Sequence, residues 1–141
     1  MGVTITAKNS NYSFDMGYFG FCHLRESIAM ALDKEFGECY AELPSAMIKE
    51  TLALWEEKIN KIMAHDRFKE VTDDVFDFFF AGDTKGEVDY KTCKKLYDII
   101  KDVDFTGQGF VYTAHSDGKD YEYFKEFLLE CYKHRRKMRW N

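Results

Sequence analysis

Residues 3–36 read VTITAKNSNYSFDMGYFGFCHLRESIAMALDKEF, and the period of their hydrophobic residues changes partway along. Val3–Ala7 and Tyr12–Met16 each alternate between residues suited to the two faces of a strand. The cluster Asn9–Asn11 between them is rich in turn-forming residues. This part of the stretch predicts a β-hairpin.

Beyond the hairpin, the spacing of apolar residues becomes helical. From Tyr18 onward they recur every three or four positions, which predicts an amphipathic helix that Gly37 ends. Pro44 then breaks the chain, and Ser45 can cap a second helix that runs to about His65. The predicted buried face of this second helix consists of Ile48, Leu52, Trp55, Ile59, Ile62 and Met63.

The second half of the chain predicts three more helices and one strand. Thr72 caps an apolar helix closed by Gly82, a helix begins at Asp89 or Tyr90, and the last helix covers roughly Tyr121–Arg139. Phe110–Tyr112 is a candidate late strand. We therefore predict one mainly helical α+β domain over residues 1–141, in which a small antiparallel sheet combines the hairpin with one late strand. An all-α bundle with a marginal N-terminal arm is the alternative.

Length and composition narrow the class of protein. The chain has 141 residues, 45% of them hydrophobic and 32% charged, which excludes low-complexity disorder and fits one domain. No run of apolar residues is long enough to span a bilayer, and residues 1–10 lack the layout of a secretory signal. We expect a cytoplasmic protein with no membrane partner.

Charge is distributed unevenly. The net formal charge is −5, yet residues 133–141, the predicted basic end of the last helix, contain five basic residues and no acidic ones. The other 132 residues hold fifteen basic and twenty-five acidic residues, a formal charge of −10. An acidic body favours a basic protein partner over nucleic acid. The candidate partner-binding residues on this acidic face are Glu56, Glu57, Asp73, Asp74 and Asp77.

The basic C-terminus predicts a second kind of interaction. Cations followed by an aromatic residue are typical of proteins that grip phosphates and stack on bases. In this alternative the candidate nucleic-acid-binding residues are Lys133, Arg135, Arg136, Lys137, Arg139 and Trp140. Lysine and arginine are also favoured at a helix C-terminus by the helix dipole, so a solvated helix end remains open.

No set of residues predicts catalysis or a bound cofactor. The sequence has no glycine-rich phosphate loop, nucleophile elbow or zinc-protease motif, so we expect a protein that is not an enzyme. Cys131 and His134 have the spacing of two zinc ligands, and Cys22, His23 and Cys39 are the other candidate ligands, but only one suitable pair is present. We expect reduced, buried thiols and no cofactor, with zinc as the alternative.

A family resemblance supplies a more specific expectation. Asn9–Leu24 (NSNYSFDMGYFGFCHL), Lys91–Tyr97 (KTCKKLY) and the basic end through Trp140 resemble small uncharacterised proteins carried by phages and mobile elements of Gram-positive bacteria. The size and acidity are similar to those of type II anti-CRISPR proteins, which occlude a Cas9 nuclease. The resemblance implies a non-enzymatic inhibitor acting in the bacterial host cell through its acidic surface, and the alternative is a small nucleic-acid-binding regulator. It implies nothing about oligomeric state.

Overall fold

An antiparallel sheet joins the two ends of the chain. The computed structural model describes residues 2–10, 12–105 and 119–141, and its strands there are β1 (Gly2–Ala7), β2 (Ser13–Gly17), β3 (Gly86–Val88) and β4 (Met138–Trp140). They pair in the order β2–β1–β4–β3, with every neighbouring pair antiparallel. The predicted N-terminal hairpin is confirmed, and the all-α alternative is wrong.

Helices make up most of the rest of the described chain. They are α1 (Tyr18–Leu32), α2 (Lys34–Ala41), α3 (Leu43–Ile48), α4 (Leu52–Met63), α5 (Asp73–Phe80), α6 (Tyr90–Ile100) and α7 (Lys119–Lys133), with a 3₁₀ turn at Asp66–Phe68. The mainly helical α+β prediction is confirmed. Among the described residues, none of the helices combines the length and apolar character that crossing a bilayer requires.

The predicted first helix is divided in two at Asp33. This residue adopts an extended backbone, and its carboxylate accepts a hydrogen bond of 2.9 Å from the amide of Phe36, so it caps α2. Gly37 therefore lies inside α2 and does not end α1. A Cβ atom at Gly37 would lie 2.6 Å from the Cα of Met30, so the glycine lets α1 and α2 approach closely.

The predicted second helix is also divided. Pro44 lies in the first turn of α3, where its missing amide hydrogen costs no helical hydrogen bond, so it starts a helix here. The longer helix α4 begins only at Leu52. Trp55, Ile59 and Ile62 are buried as predicted, because they share one face of α4.

Later helix starts agree better with prediction. Thr72 is the N-cap residue of α5, and the Asp89 carboxylate accepts a 2.8 Å hydrogen bond from the Tyr90 amide at the start of α6. The candidate strand Phe110–Tyr112 lies outside the described residues. β3 and β4 were not predicted, because each is too short to show an alternating pattern.

The prediction of a basic helix end over residues 133–141 is wrong. Helix α7 ends at Lys133, and Arg135 adopts a left-handed backbone with φ of 53°. Its amide donates to the Tyr132 carbonyl at 3.2 Å, and the next amide, of Arg136, donates to the Cys131 carbonyl at 2.9 Å. These two bonds form a Schellman motif, which turns the chain out of the helix and into β4.

Trp140 anchors β4 in the core. Its side chain is fully buried, packs on Phe21 and Phe78, and donates a 2.9 Å hydrogen bond from Nε1 to the Gly82 carbonyl. On the adjacent strand β3, a Cβ atom at Gly86 would lie 2.3 Å from a carbon of the indole ring. Only glycine leaves space there for the ring.

We expect Gly86→Ala to destabilise the protein by about 2 kcal/mol or more, because the added methyl group overlaps a buried, hydrogen-bonded indole. Urea denaturation followed by tryptophan fluorescence measures the change. Glu87→Ala is the matched control, since its exposed side chain makes only long ion pairs with Lys8 and Lys137, and should cost less than about 1 kcal/mol. Equal losses in the two variants would contradict this packing.

Candidate functional site

The five predicted acidic residues divide between two helices and between two roles. Glu56 and Glu57 lie on α4, and the three aspartates lie in the first two turns of α5. Glu56, Asp73 and Asp77 are exposed, and none of them has a basic partner among the described residues. Glu57 pairs with Lys61 at 3.3 Å, but both side chains are largely exposed, so this ion pair contributes little.

Asp74 has a structural role. Its carboxylate accepts hydrogen bonds from Thr92 at 2.7 Å and Lys95 at 3.1 Å, both on α6, and from the Thr72 hydroxyl. Burial by itself would raise the pKa of Asp74, but the hydrogen bonds from these three residues outweigh it and lower the pKa to about 2. Asp74 therefore joins α5 to α6 and is poorly placed to bind a partner.

Many other carboxylates are neutralised by nearby cations. Arg67, for example, contacts Asp33 at 3.0 Å and Glu35 at 2.5 Å, and Lys58 contacts Glu42 at 3.1 Å. Further ion pairs involve Glu38, Asp83, Glu87, Asp98 and Glu122. Negative charge is therefore interrupted over much of the described surface, and acidity alone does not define a docking site.

Four apolar side chains, those of Met47, Ile48, Leu52 and Leu54, are exposed around the junction of α3 and α4. We call these four residues, together with Glu50, which lies between them in the chain, the α3–α4 tip. Ile48 is 84% exposed, Leu54 is 67% exposed and Met47 is 62% exposed. The predicted burial of Ile48 and Leu52 is wrong, because the break at residues 49–51 separates Ile48 from the buried stripe of α4.

The backbone of this tip is held by the same motif that ends α7. Glu50 has φ of 58°, its amide donates to the Met47 carbonyl at 3.4 Å, and the amide of Thr51 donates to the Ala46 carbonyl at 2.9 Å. Such a left-handed position normally favours glycine, and a residue with a side chain costs about 1 kcal/mol there. The Glu50 side chain makes no hydrogen bond or ion pair with another described residue that would offset this cost.

The C-terminal basic residues differ in whether their side chains form hydrogen bonds or ion pairs with other described residues. Arg136 donates to the carbonyls of Lys8 at 3.0 Å and Asn9 at 2.5 Å, and Lys137 lies 3.5 Å from Glu87. Lys133, Arg135 and Arg139 are exposed, and the described residues offer them no ion pair. The prediction that Trp140 stacks on a base is wrong, since the indole is buried beneath β3.

Two clefts lie on either side of Arg135. The first has a volume of about 510 Å³ and is lined by Tyr90, Lys91, Tyr132, Lys133 and Arg135. The second has a volume of about 400 Å³ and is lined by Lys8, Asn9, His134, Arg135, Arg136 and Lys137. Among the described residues, no carboxylate lines either cleft. A third cleft, of about 610 Å³, lies beside Tyr12 and includes Glu126 and Glu130, which makes it less suited to an anion.

Sequence reasoning missed Tyr90, Lys91 and Tyr132 as parts of one site. They meet because α6 packs against α7, a long-range contact that no local pattern reveals. The α3–α4 tip did leave a signal, since Leu54 lies off the apolar stripe of α4 and follows closely after Met47 and Ile48.

The proposed zinc ligands do not converge. Cys39, Cys93 and Cys131 are buried, and all four cysteines are free thiols. A hydrogen bond with the Cys131 thiol, together with burial, raises the pKa of Cys93, which disfavours the thiolate that zinc needs. The His134 ring lies 3.0 Å from Glu130, and within the described residues no three histidine, cysteine or acidic side chains form a group that could hold a metal ion.

Comparison with protein-family models, curated proteins and solved structures finds no match to this chain. The resemblance to phage-borne inhibitors therefore stays a prediction. The described surface offers three features suited to binding, which are the α3–α4 tip, the carboxylates without a basic partner and the basic clefts.

We expect Asp74→Asn to lower the free energy of unfolding at pH 7 by about 1 kcal/mol, a figure reduced for the partial exposure of the carboxylate. The pKa of Asp74 is lower in the folded protein than in the unfolded chain. Its contribution is therefore complete above about pH 4 and is lost as pH falls toward 2. Urea denaturation at a series of pH values should show the two proteins converging at acid pH. Asp77→Asn, on the same helix but without these partners, should change stability little at any pH.

Proposed function

We propose that this protein is a non-enzymatic inhibitor that binds a nucleic-acid-directed host defence nuclease, with Cas9 as the favoured target. The observation that carries the proposal is the α3–α4 tip, which exposes Ile48 and Leu54 beside carboxylates that have no basic partner among the described residues. Soluble proteins seldom leave large apolar side chains clustered and exposed unless another molecule covers them.

The tip has the composition of a protein–protein contact. Stable interfaces place apolar anchors at the centre and polar groups at the rim, and a few anchors contribute most of the binding energy. Burial of Ile48 on a partner would contribute about 2 kcal/mol to the free energy of binding, and burial of Leu54 would contribute a similar amount. Glu50 and Glu56, close to these anchors in the chain, would supply the rim.

Helix α5 supplies a further carboxylate, that of Asp77, and contacts α4 through one aromatic pair. Trp55, in the first turn of α4, packs edge-on against Phe80 at the end of α5, with 6.3 Å between ring centroids. Phe80 is itself partly exposed, and Asp77 lies one turn before it on α5. Asp77 therefore lies one helical turn from the ring that contacts α4, and it adds an exposed carboxylate without a described basic partner on α5.

The charge of this surface indicates the chemistry of the partner. Unpaired carboxylates around an apolar centre favour a partner whose apolar pocket is bordered by lysine and arginine. RNA-guided nucleases hold their heteroduplex in a positively charged channel, which offers such a border. An inhibitor docked there would exclude the nucleic acid by occupying its site.

We expect the double variant Ile48→Ser, Leu54→Ser to weaken inhibition of Cas9 cleavage at least tenfold, because it removes both apolar anchors without disturbing the core. Glu56→Lys should slow association and reduce its dependence on salt. A cleavage assay with purified Cas9, together with binding kinetics at 0.05 and 0.3 M salt, measures both effects.

Glu126→Lys is the control for this experiment, since it makes the same change in net charge on the exposed face of α7 and should leave inhibition unchanged. The proposal fails if the wild-type protein does not bind the nuclease. It also fails if binding is independent of salt, or if the double serine variant inhibits as well as the wild type.

A further inference from the structure

We propose that the two basic clefts on either side of Arg135 bind single-stranded nucleic acid. This activity uses α6, α7 and the segment leading to β4, whereas the inhibitor proposal uses α3, α4 and α5. It also differs from the site predicted from the sequence, since Tyr90 and Tyr132 replace the buried Trp140 as the aromatic groups.

The two clefts form one continuous basic surface. Arg135 lines both of them, with Lys91 and Lys133 on one side and Arg136 and Lys137 on the other. The side chains of Lys91, Lys133 and Arg135 have no carboxylate partner among the described residues. They are therefore available to contact phosphate groups, whose negative charge none of the described lining residues would repel.

The lysine side chains of the second cleft form only weak ion pairs. Lys8 and Lys137 share one carboxylate, that of Glu87, at 3.9 and 3.5 Å, and all three side chains are well exposed. Such ion pairs exchange readily with a competing anion because solvent screens them. A phosphate could replace Glu87 without leaving a buried charge unpaired.

Aromatic side chains lie among the cations of the first cleft. The Tyr90 and Tyr132 rings are 6.3 Å apart and inclined at 37°, and Tyr132 is 38% exposed. Lys91 lies 6.0 Å from the centre of the Tyr90 ring. Lys94, which pairs with Asp98 at 2.6 Å and is not one of the described lining residues, lies 5.9 Å from the centre of the Tyr132 ring. Cations interleaved with accessible rings are typical of single-strand binding, because unpaired bases can stack while phosphates are gripped.

The conformation of Arg135 is the strongest single indication. It occupies the left-handed position of a Schellman motif, where glycine relieves backbone strain. Its guanidinium makes no hydrogen bond or ion pair with another described residue, so no polar contact offsets the backbone strain. A strained residue with an unused, exposed cation between two basic clefts fits a binding role.

The proposal makes a quantitative statement about salt. If three cations neutralise three phosphates of a single strand, the logarithm of affinity falls with a slope of about −2 against the logarithm of salt concentration. Raising salt from 50 to 200 mM should then weaken binding about 20-fold. Because the protein as a whole is negatively charged, this salt dependence of the affinity would arise from the cations of the two clefts.

Fluorescence anisotropy with a labelled twelve-residue oligothymidylate tests the proposal without any nuclease, so its outcome is separate from that of the inhibitor proposal. Arg135→Gly should weaken binding about tenfold and reduce the salt slope by about 0.7. The same variant should raise the urea midpoint, since glycine suits the left-handed position. Lys91→Ala and Tyr132→Ala should each weaken binding several-fold.

Two controls make the result specific. Lys69→Ala removes an exposed lysine on the segment between α4 and α5, and should not change binding. Glu50→Gly makes the same backbone substitution in the other Schellman motif, and should raise stability without weakening binding.

Three outcomes would overturn the proposal. They are the absence of binding at 50 mM salt, equal losses in Arg135→Gly and Lys69→Ala, and binding of a duplex of the same length as tightly as the single strand. A fourth outcome, preferential binding to phosphatidylserine vesicles, would overturn it by assigning the clefts to a lipid surface.

Discussion

A buried cation, Arg25, fixes the end of α5 against α1. Its guanidinium donates hydrogen bonds to the carbonyls of Ala81 at 2.8 Å, Phe78 at 3.3 Å and Phe79 at 3.4 Å, and it pairs with the carboxylate of Asp83. The last carbonyls of a helix lack internal partners and carry partial negative charge, so a cation there both satisfies and stabilises them. Without these acceptors, a charge buried this deeply would strongly destabilise the fold.

The segment that Arg25 positions then receives the C-terminus. Gly82, next to the Asp83 carboxylate, accepts the indole hydrogen bond of Trp140, and Gly86 provides the space in which that indole lies. Trp140 belongs to β4, an inner strand of the sheet. The polar contacts at the end of α5 therefore connect α1 and α5 to the sheet. Removal of the C-terminal strand would disrupt the core, so the basic residues beside it must be tested by point substitution.

The sequence predicted the features that depend only on residues close together in the chain. The period of apolar residues located α4, α5, α6 and α7, and Asp89 was a sufficient cap to place the start of α6. The period of the apolar residues could not show that Asp33 divides the predicted first helix, because α1 and α2 keep the same period. Nor could it show that Arg25 is buried, since the four acceptors that make this tolerable come from residues more than fifty positions away.

The sequence predicted the candidate sites only as charged residues along the chain. In the folded protein some of these residues have structural roles and others are exposed. Asp74 and Arg136 became structural, whereas Glu50 and Arg135 were left exposed in the same strained motif on different helices. At physiological salt a charge acts over roughly 8 Å, so a partner responds to the groups at its own contact and hardly to a net charge of −5. An acidic protein can therefore present a basic cleft and an acid-bordered apolar tip at once, and each surface selects its ligand by the side chains that the fold leaves unpaired there.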